Sequence, residues 1–511
     1  MNSKLWIAPL ALAAVVACRN LLNEDPQSFV TSDSFFQTEA DLKSGVIAAY
    51  SPMRSNNLFN GWPWLSLELA SDQVRIDHDE PNLETSGPDF LFYSTGSRGV
   101  TVAWRELYNM IFRANLVLAN ADRVQQWTNP ALKPTYLAEA KFLRAYAYLW
   151  LTKLYDDVPL LLTLADHDNL AVARTPVEQV HQQIIKDLTE VEAVLPAKWG
   201  SSDRGRATRG AAEMALADLY LWRASALKHT GEWQNASDWA KKVIDSGDWG
   251  LSADYISPFL PSNKGNREMI FYVAASGVDS RSSTGFIVNF YFPRDFGLST
   301  GGGWGAGHPT DWHYNQYPAG DYRKEAGYRS GGCRWDGFCV AAFKDGPLPW
   351  KYRPTNNGSD GGKCDVDIPL YRFAEAILIY AEAQNELGNS GVAVQYVNMI
   401  RARARNGTGA ENRASPADYA GPLDQASVRD AIFGERDLEL AHEAKRWFDL
   451  VRRDSEEAPD VLNRGYWEAS LHDHDPNSWR MQSIQTYKKR WPVPQSEIDL
   501  NPNLKPNNAG Y

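Results

Sequence analysis

Cysteine is scarce, with four in 511 residues. Cys333, Cys339 and Cys364 fall in one region and Cys18 stands alone. A fold held by many disulfides is therefore excluded. Cys333 and Cys339 have the spacing C-x5-C with no histidine nearby, a poor pattern for zinc. A local disulfide between these two is expected in place of a metal. Runs of Lys or Arg are also missing, and the net charge is −11. That balance argues against nucleic acid or an anionic lipid surface as the main ligand. Beyond the first eighteen residues no apolar run approaches the ~20 residues of a spanning helix. No Ser-His-Asp set is legible. The glycines of Gly301–Gly305, GGGWG, lack the Lys and the strand–helix setting of a phosphate-binding loop. His308 and His313 flank Asp311 on a Gly/Pro-rich stretch, and H-x4-H there is weak for metal. No cofactor is implied.

What is present begins at the start of the chain. Met1–Cys18 reads MNSKLWIAPLALAAVVAC, with Lys4 its one charge and Trp6–Ala17 nearly all apolar. This is a secretory signal, too short to span a membrane. A cysteine at its exit resembles the lipobox of bacterial lipoproteins. The resemblance implies cleavage after residue 17, a diacylglycerol on the Cys18 sulfur, and acylation of its new amino group. Two or more acyl chains anchor stably, since each buried methylene contributes roughly 0.8 kcal/mol. Residues 18–33 read as a polar tether. An export route also permits disulfides.

The length would suggest about three domains at ~150 residues each, but a helical array can run longer as one body. Thr38 and Asp41 form a capping box ahead of the stripe Leu42, Val46, Ala49 and Met53. Helices are expected over Val102–Val124 and Leu137–Tyr155, the latter apolar around most of its girth and so buried. Thr175-Pro176-Val177-Glu178 reads as a cap, a first-turn proline and a box partner before Val180, Ile184, Leu188, Val191 and Leu195. Further helices are expected over Ala211–Leu227, Trp233–Ser246, Leu370–Gly388 and Val392–Arg405. A last one is expected from about Val428 to Val451, capped by Ser427 and Asp430. The pairs with short links resemble tetratricopeptide-like hairpins, so the fold class is mainly α. The helical array covers about 34–250 and 368–453. A loop-rich insert covers about 251–367, and a coil tail covers 491–511. Long irregular stretches are uncommon and often functional.

Aromatic residues are abundant: 19 Trp, 23 Tyr and 19 Phe. Flat apolar rings suit the faces of sugars. Trp62 and Trp64 lie in NGWPW, expected to be a loop stiffened by Pro63, with Asp72 and Arg75 following as polar clamps. Trp304, Trp312, Trp335 and Trp350 lie on the insert. These eight residues are the candidate ligand contacts. Trp150, Trp222, Trp239 and Trp447 sit in helical stripes and read as core; Trp104 suits either role. Glu435, Glu439 and Glu443 are spaced four apart on one expected helix face. A pair of carboxylates could serve a glycosidase. The plainer reading pairs these acids with Arg436, Arg446, Arg372 or Arg401 to lock the helix to its neighbours.

Five segments, in order, resemble the SusD/RagB family: EAKFLRAYAYLWLTKLYDDVPL (Glu139–Leu160), YPAGDYR (Tyr317–Arg323), YRFAEAILIYAEAQNELG (Tyr371–Gly388), ERDLELAHEAKRWFDLVR (Glu435–Arg452) and RWPVPQSEIDLNPNLKPNNAGY (Arg490–Tyr511). Ala444, where a Gly is more usual, and His442, where a Phe is common, depart from the pattern, and both are compatible with a helix. The resemblance implies a lipoprotein of the outer membrane, exposed at the cell surface. Such a protein binds a glycan, or sometimes a peptide-derived nutrient, without cleaving it. It caps a TonB-dependent transporter of the SusC type as a lid. The ligand face is implied to come from the NGWPW region and the insert, with residues that vary with the glycan. A peptide- or glycopeptide-binding lid and a surface glycosidase are the rival readings.

Overall fold

The computed structural model describes residues 35–76, 93–276, 285–292, 304–333, 339–340, 346–353, 364–407, 413–453 and 489–511. The signal, the tether with Cys18, and Trp335 lie outside the described residues.

Helix α1 (Glu39–Tyr50) starts as its capping box dictates: Thr38 Oγ1 accepts from the Asp41 amide at 3.2 Å, and the Asp41 carboxylate accepts from the Thr38 amide at 2.8 Å. Helix α2 (Trp62–Leu69) and strand β1 (Val74–Ile76) follow. The long α3 (Arg98–Asn120) and α4 (Lys133–Tyr155) pack together, and α4 is buried along most of its length. Helix α5 (Val177–Glu192) does not use the expected Thr175 cap. The Thr175 backbone pairs with Val158 instead, and the Asp157 carboxylate accepts from the Val177 amide at 2.7 Å. Helices α6 (Arg209–Ser225) and α7 (Trp233–Asp245) continue the array.

The chain then leaves for the insert through strand β2 (Met269–Val273) and helix α8 (Gly285–Tyr291). Short elements follow: β3 (Gly307–Pro309), α9 (Asp311–Gln316), α10 (Tyr322–Gly327), β4 (Tyr328–Arg329), β5 (Gly332–Cys333), β6 (Cys339–Val340) and β7 (Leu348–Pro349). It returns through β8 (Ile368–Arg372), which pairs antiparallel with β2 from Val273↔Ile368 to Met269↔Arg372. Exit and return are thus stapled to each other. Helix α11 (Phe373–Glu386) packs directly on α7, so the array closes across the insert as if it were absent. Helices α12 (Ser390–Ala404) and α13 (Gln425–Glu439) complete it.

The expected final helix is broken. Asp424, not Ser427, caps α13, accepting from the Ser427 amide at 2.9 Å. After Glu439 the chain bends, and helix resumes only at α14 (Arg446–Arg453). Within the bend His442 and Ala444 adopt φ of 64° and 53°, the left-handed region that glycine enters most easily. The tail contains a further helix, α15 (Gln495–Leu500), where coil was expected. Trp491 is buried and its amide donates to Leu154 O at 2.8 Å. Asn508 donates to Tyr155 O at 2.9 Å, which pins the chain end to α4. Among the described residues no helix is long and apolar enough to cross a membrane.

Candidate ligand-binding site

Two groups of side chains have the chemistry to act on a ligand, and the structure treats them differently. The first surrounds the bend after α13. Glu435 accepts from Arg323 Nη1 at 2.6 Å and from Arg401 Nη1 at 2.8 Å. Glu439 accepts from Arg372 Nη1 at 2.6 Å, from Arg323 Nη1 at 3.3 Å, and from Arg403. Glu443 accepts from Arg372 Nε at 2.8 Å and from Lys351. Asp321 and Glu268 complete the network through Arg323 at 2.7 Å and Arg403 at 3.0 Å. Every one of these groups is buried or nearly so. Burial opposes ionisation of Glu439, but Arg403, Arg372 and Arg323 outweigh it and hold the carboxyl down at about 2. Glu443 is lowered in the same way by Arg372 and Lys351. A general acid needs its pKa raised, not lowered. The expectation that the three glutamates share one helix face is corrected, because Glu443 lies beyond the end of α13. The plainer reading of their partners does describe the geometry.

Asp72 belongs to this scaffold. It is 2% exposed and takes a two-pronged ion pair from Arg446, Nε and Nη2 each at 2.8 Å. Its oxygens are committed, so it is not placed as a clamp for a ligand. Trp64 is likewise 2% exposed, inside the main core. Within NGWPW, Trp62–Trp64 are helix, not loop, and the two tryptophans sit two residues apart on it. At about 100° per residue they point to nearly opposite sides. Gly61 permits the entry: a Cβ there would stand 1.7 Å from Asn56 O, the atom that accepts from the Trp62 amide.

The second group is aromatic. Trp62 opens α2 and is half-buried; its ring centroid is 5.2 Å from Phe286 on α8. Phe286 meets Trp304 edge-on at 4.8 Å. Trp304 is 36% exposed, one of the few large apolar side chains so open to water among the described residues. The Arg98 guanidinium lies 4.5 Å from the Trp62 ring centroid. Just after α8, Phe292 packs against Trp350 at 4.7 Å, and the Arg329 guanidinium lies 4.6 Å from that ring. Helix α8 is therefore the hub that joins Trp62, Trp304 and Trp350. It is tied to Trp304 through the backbone, since the Trp304 amide donates to Asn289 O at 2.5 Å. The β1–β3 ladder brings the two chain regions together, with Arg75 opposite His308 in register.

Trp312 stands apart from that hub. It lines a cavity of about 500 Å³ with Tyr419, Phe433 and Arg453. His308 and His313 are buried, and His313 Nδ1 lies 3.1 Å from both oxygens of Asp437. Its Nε2 meets Tyr328 Oη at 2.6 Å, which in turn lies 2.9 Å from His442 Nε2. Beyond His442, Glu68 accepts from the Tyr291 hydroxyl at 3.2 Å and from the Ala444 amide at 2.5 Å. Glu68 is on α2 and Tyr291 on α8, so this polar chain fixes the two helices that carry Trp62 and Phe286. Phe286, Phe292, Arg98 and Arg329 were missed from sequence; the aromatic run GFIVNFYF from Gly285 was the available signal. The backbones of Cys333 and Cys339 face each other in the β5–β6 ladder. Cys364 is buried.

A family model described as "SusD family" matches residues 334–511, and one described as "Starch-binding associating with outer membrane" matches residues 28–221. The chain belongs to the SusD/RagB family. It is 29% identical to SusD-like protein P2 of Formosa agariphila, over 98% of both chains. It is 26% identical to Starch-binding protein SusD of Bacteroides thetaiotaomicron, over 73% of this chain and 72% of that one. In fold it is similar to the crystal structure of a SusD homolog from B. thetaiotaomicron, with a TM-score of 0.80 at 20% identity, covering 94% of this chain and 98% of that one. The SusD/RagB fold is thus mainly α, as the helical patterning implied. Three of the five segments that carry the SusD/RagB resemblance supply the buried ionic network: Tyr317–Arg323, Tyr371–Gly388 and Glu435–Arg452. What makes the family legible in sequence is its scaffold.

Proposed function

We propose that this protein captures glycans at the surface of the outer membrane, anchored through a lipidated Cys18, and delivers them without cleavage to a SusC-type TonB-dependent transporter. The single observation that carries the binding role is the Trp62–Phe286–Trp304 group. Two tryptophans 242 positions apart in the chain are held on one phenylalanine, and one of them is left open to water. Exposing a fixed indole costs hydration free energy without a packing return unless something stacks on it. Trp350 with Phe292 extends the face, and Arg98 and Arg329 place hydrogen-bond donors at its rings. The starch-binding name of the B. thetaiotaomicron relative supports a sugar as the ligand class. The absence of catalysis is supported by the lowered, fully paired carboxylates of the bend. Trp335, the Cys333–Cys339 disulfide, and the division into signal, tether, array and insert remain part of this reading.

Affinity electrophoresis and calorimetry of the detergent-solubilised protein against a panel of polysaccharides and peptides test it. Retardation by one glycan class with no reducing ends released is the expected result. Released sugar refutes the non-catalytic role, and binding of peptides alone refutes the glycan.

A further inference from the structure

The loop linking α5 to α6, the segment leaving α7, and the turn before β2 close round a cavity of about 250 Å³ that no motif foretold. Its lining includes Lys198, Arg204, Arg206, Lys264 and Arg267 and no carboxylate. This stands out in a chain of net charge −11.

The five cations are not equivalent. Arg206 is consumed by Glu139 at 2.5 Å and Asp203 at 2.7 Å, and its guanidinium lies 3.8 Å from the Trp199 ring centroid. Arg204 and Lys264 share a single carboxylate, Asp367, at 2.7 and 3.5 Å. Among the described residues Arg267 donates only to carbonyls, those of Gly247 at 2.9 Å and Trp249 at 3.3 Å. Lys198 is exposed, its ammonium 5.7 Å from the Trp249 ring centroid. Neither Arg267 nor Lys198 has a carboxylate partner among the described residues. Trp199 is half-buried and held in orientation by its indole N–H, which donates to Ala207 O at 2.7 Å. Gly265, at φ 70°, has nothing within 4 Å of where a Cβ would stand, so the wall there stays low.

We propose that this cavity is a second sugar subsite, selective for a pyranose bearing an anionic group, a carboxylate or a sulfate ester. The sugar half of the assignment rests on the glycan-binding reading above; the anionic half stands on the cavity itself. Surplus positive charge in a partly enclosed site attracts an anion more strongly than the same charge on an open surface. The guanidinium fork of Arg267 matches the geometry of a carboxylate or sulfate. The Trp199 indole, covered by Arg206 on one face, has its other face to offer to the ring, and the volume suits one sugar residue rather than a chain.

Calorimetry of the detergent-solubilised protein with D-glucuronate, glucose 6-sulfate, glucose and sodium sulfate tests this. Both anionic sugars are expected to bind about tenfold or more tighter than glucose or free sulfate, and less tightly as salt is raised. The double change Lys198→Gln/Arg267→Gln is expected to remove about tenfold of that affinity with an unchanged melting temperature. Lys198→Gln alone, which leaves the Arg267 contacts intact, removes part of it. Trp62→Ala and Trp304→Ala leave it unchanged, so failure of the aromatic face and failure of this cavity are read separately. Glucose or sulfate binding as tightly as the anionic sugars overturns the proposal. So does the absence of binding, full affinity in the double variant, or loss of acidic-sugar binding in the Trp62 or Trp304 variants.

Discussion

The bend after α13 and the aromatic hub on α8 differ in what their side chains have left to give. At the bend, five carboxylates meet four arginines and a lysine in the protein interior, and the hydrogen bonds are spent internally. At the hub, Trp62 and Trp304 are held on one side and open on another. A dense cluster of acids and bases resembles an active site in sequence; in three dimensions it is a clasp joining the insert, β8, α12 and α13. Function resides where groups are positioned but not used up.

The contrast can be broken most forcefully at the clasp. Arg372→Ala strips Glu268, Glu439 and Glu443 of a shared partner and leaves buried charge behind. A loss of about 3–5 kcal/mol is expected in urea unfolding, while glycan affinity of the molecules that remain folded stays as it was. Trp64→Ala follows, with a loss of about 3–5 kcal/mol from a cavity in the core and no change in ligand contacts. Trp304→Ala reverses the pattern: glycan affinity falls about tenfold or more in calorimetry, and stability shifts by about 0.5 kcal/mol or less.

Acid sharpens the comparison further. His181 is buried beside Arg223, and both burial and that cation depress its pKa from 6.5 to about 3. A histidine lowered in the folded state is protonated first in the unfolded chain. Its stability contribution is complete above pH 6.5 and is lost as pH falls from 6.5 towards 3, at no more than about 1.4 kcal/mol per pH unit. The lowered carboxylates of the clasp act in the same direction at lower pH, with loss beginning below their ordinary range near 4.5 and continuing to about 2 for Glu439. Glu213, raised to about 7 by burial and Glu192, acts in the opposite direction over the same window, and His442 and His167, also lowered by burial, act with His181. The His181 part is therefore read by difference: between pH 6.5 and 4 the thermal midpoint of His181→Gln should fall less than that of the unchanged protein.

Much of the scaffold was legible because its signals are local. The Thr38–Asp41 box, the apolar stripes and the girth of α4 each declare a helix within a few residues. The break after Glu439 was not legible, because Ala444 and His442 are acceptable helix residues and only tertiary packing forces their positive φ. From sequence, Trp62 and Trp64 read as a loop stiffened by Pro63. In fact Gly61 admits the chain beneath Asn56 O and Pro63 lies in the first turn of α2. Asp72 looked free because its partner, Arg446, is 374 positions away. The aromatic run from Gly285 marks Phe286 and Phe292 as unusual but not as a site, since only the fold brings Trp62 beside Phe286 and Trp350 beside Phe292.

The central claim is that an anchored, open aromatic face binds the ligand while the buried acids and tryptophans only support it. Its most direct test is a paired measurement of glycan affinity and melting temperature on Trp62→Ala, Trp304→Ala and Trp64→Ala. The account predicts lost affinity with a preserved melting temperature for Trp62 and Trp304, and the opposite for Trp64. Full affinity in both the Trp62→Ala and Trp304→Ala proteins would contradict it.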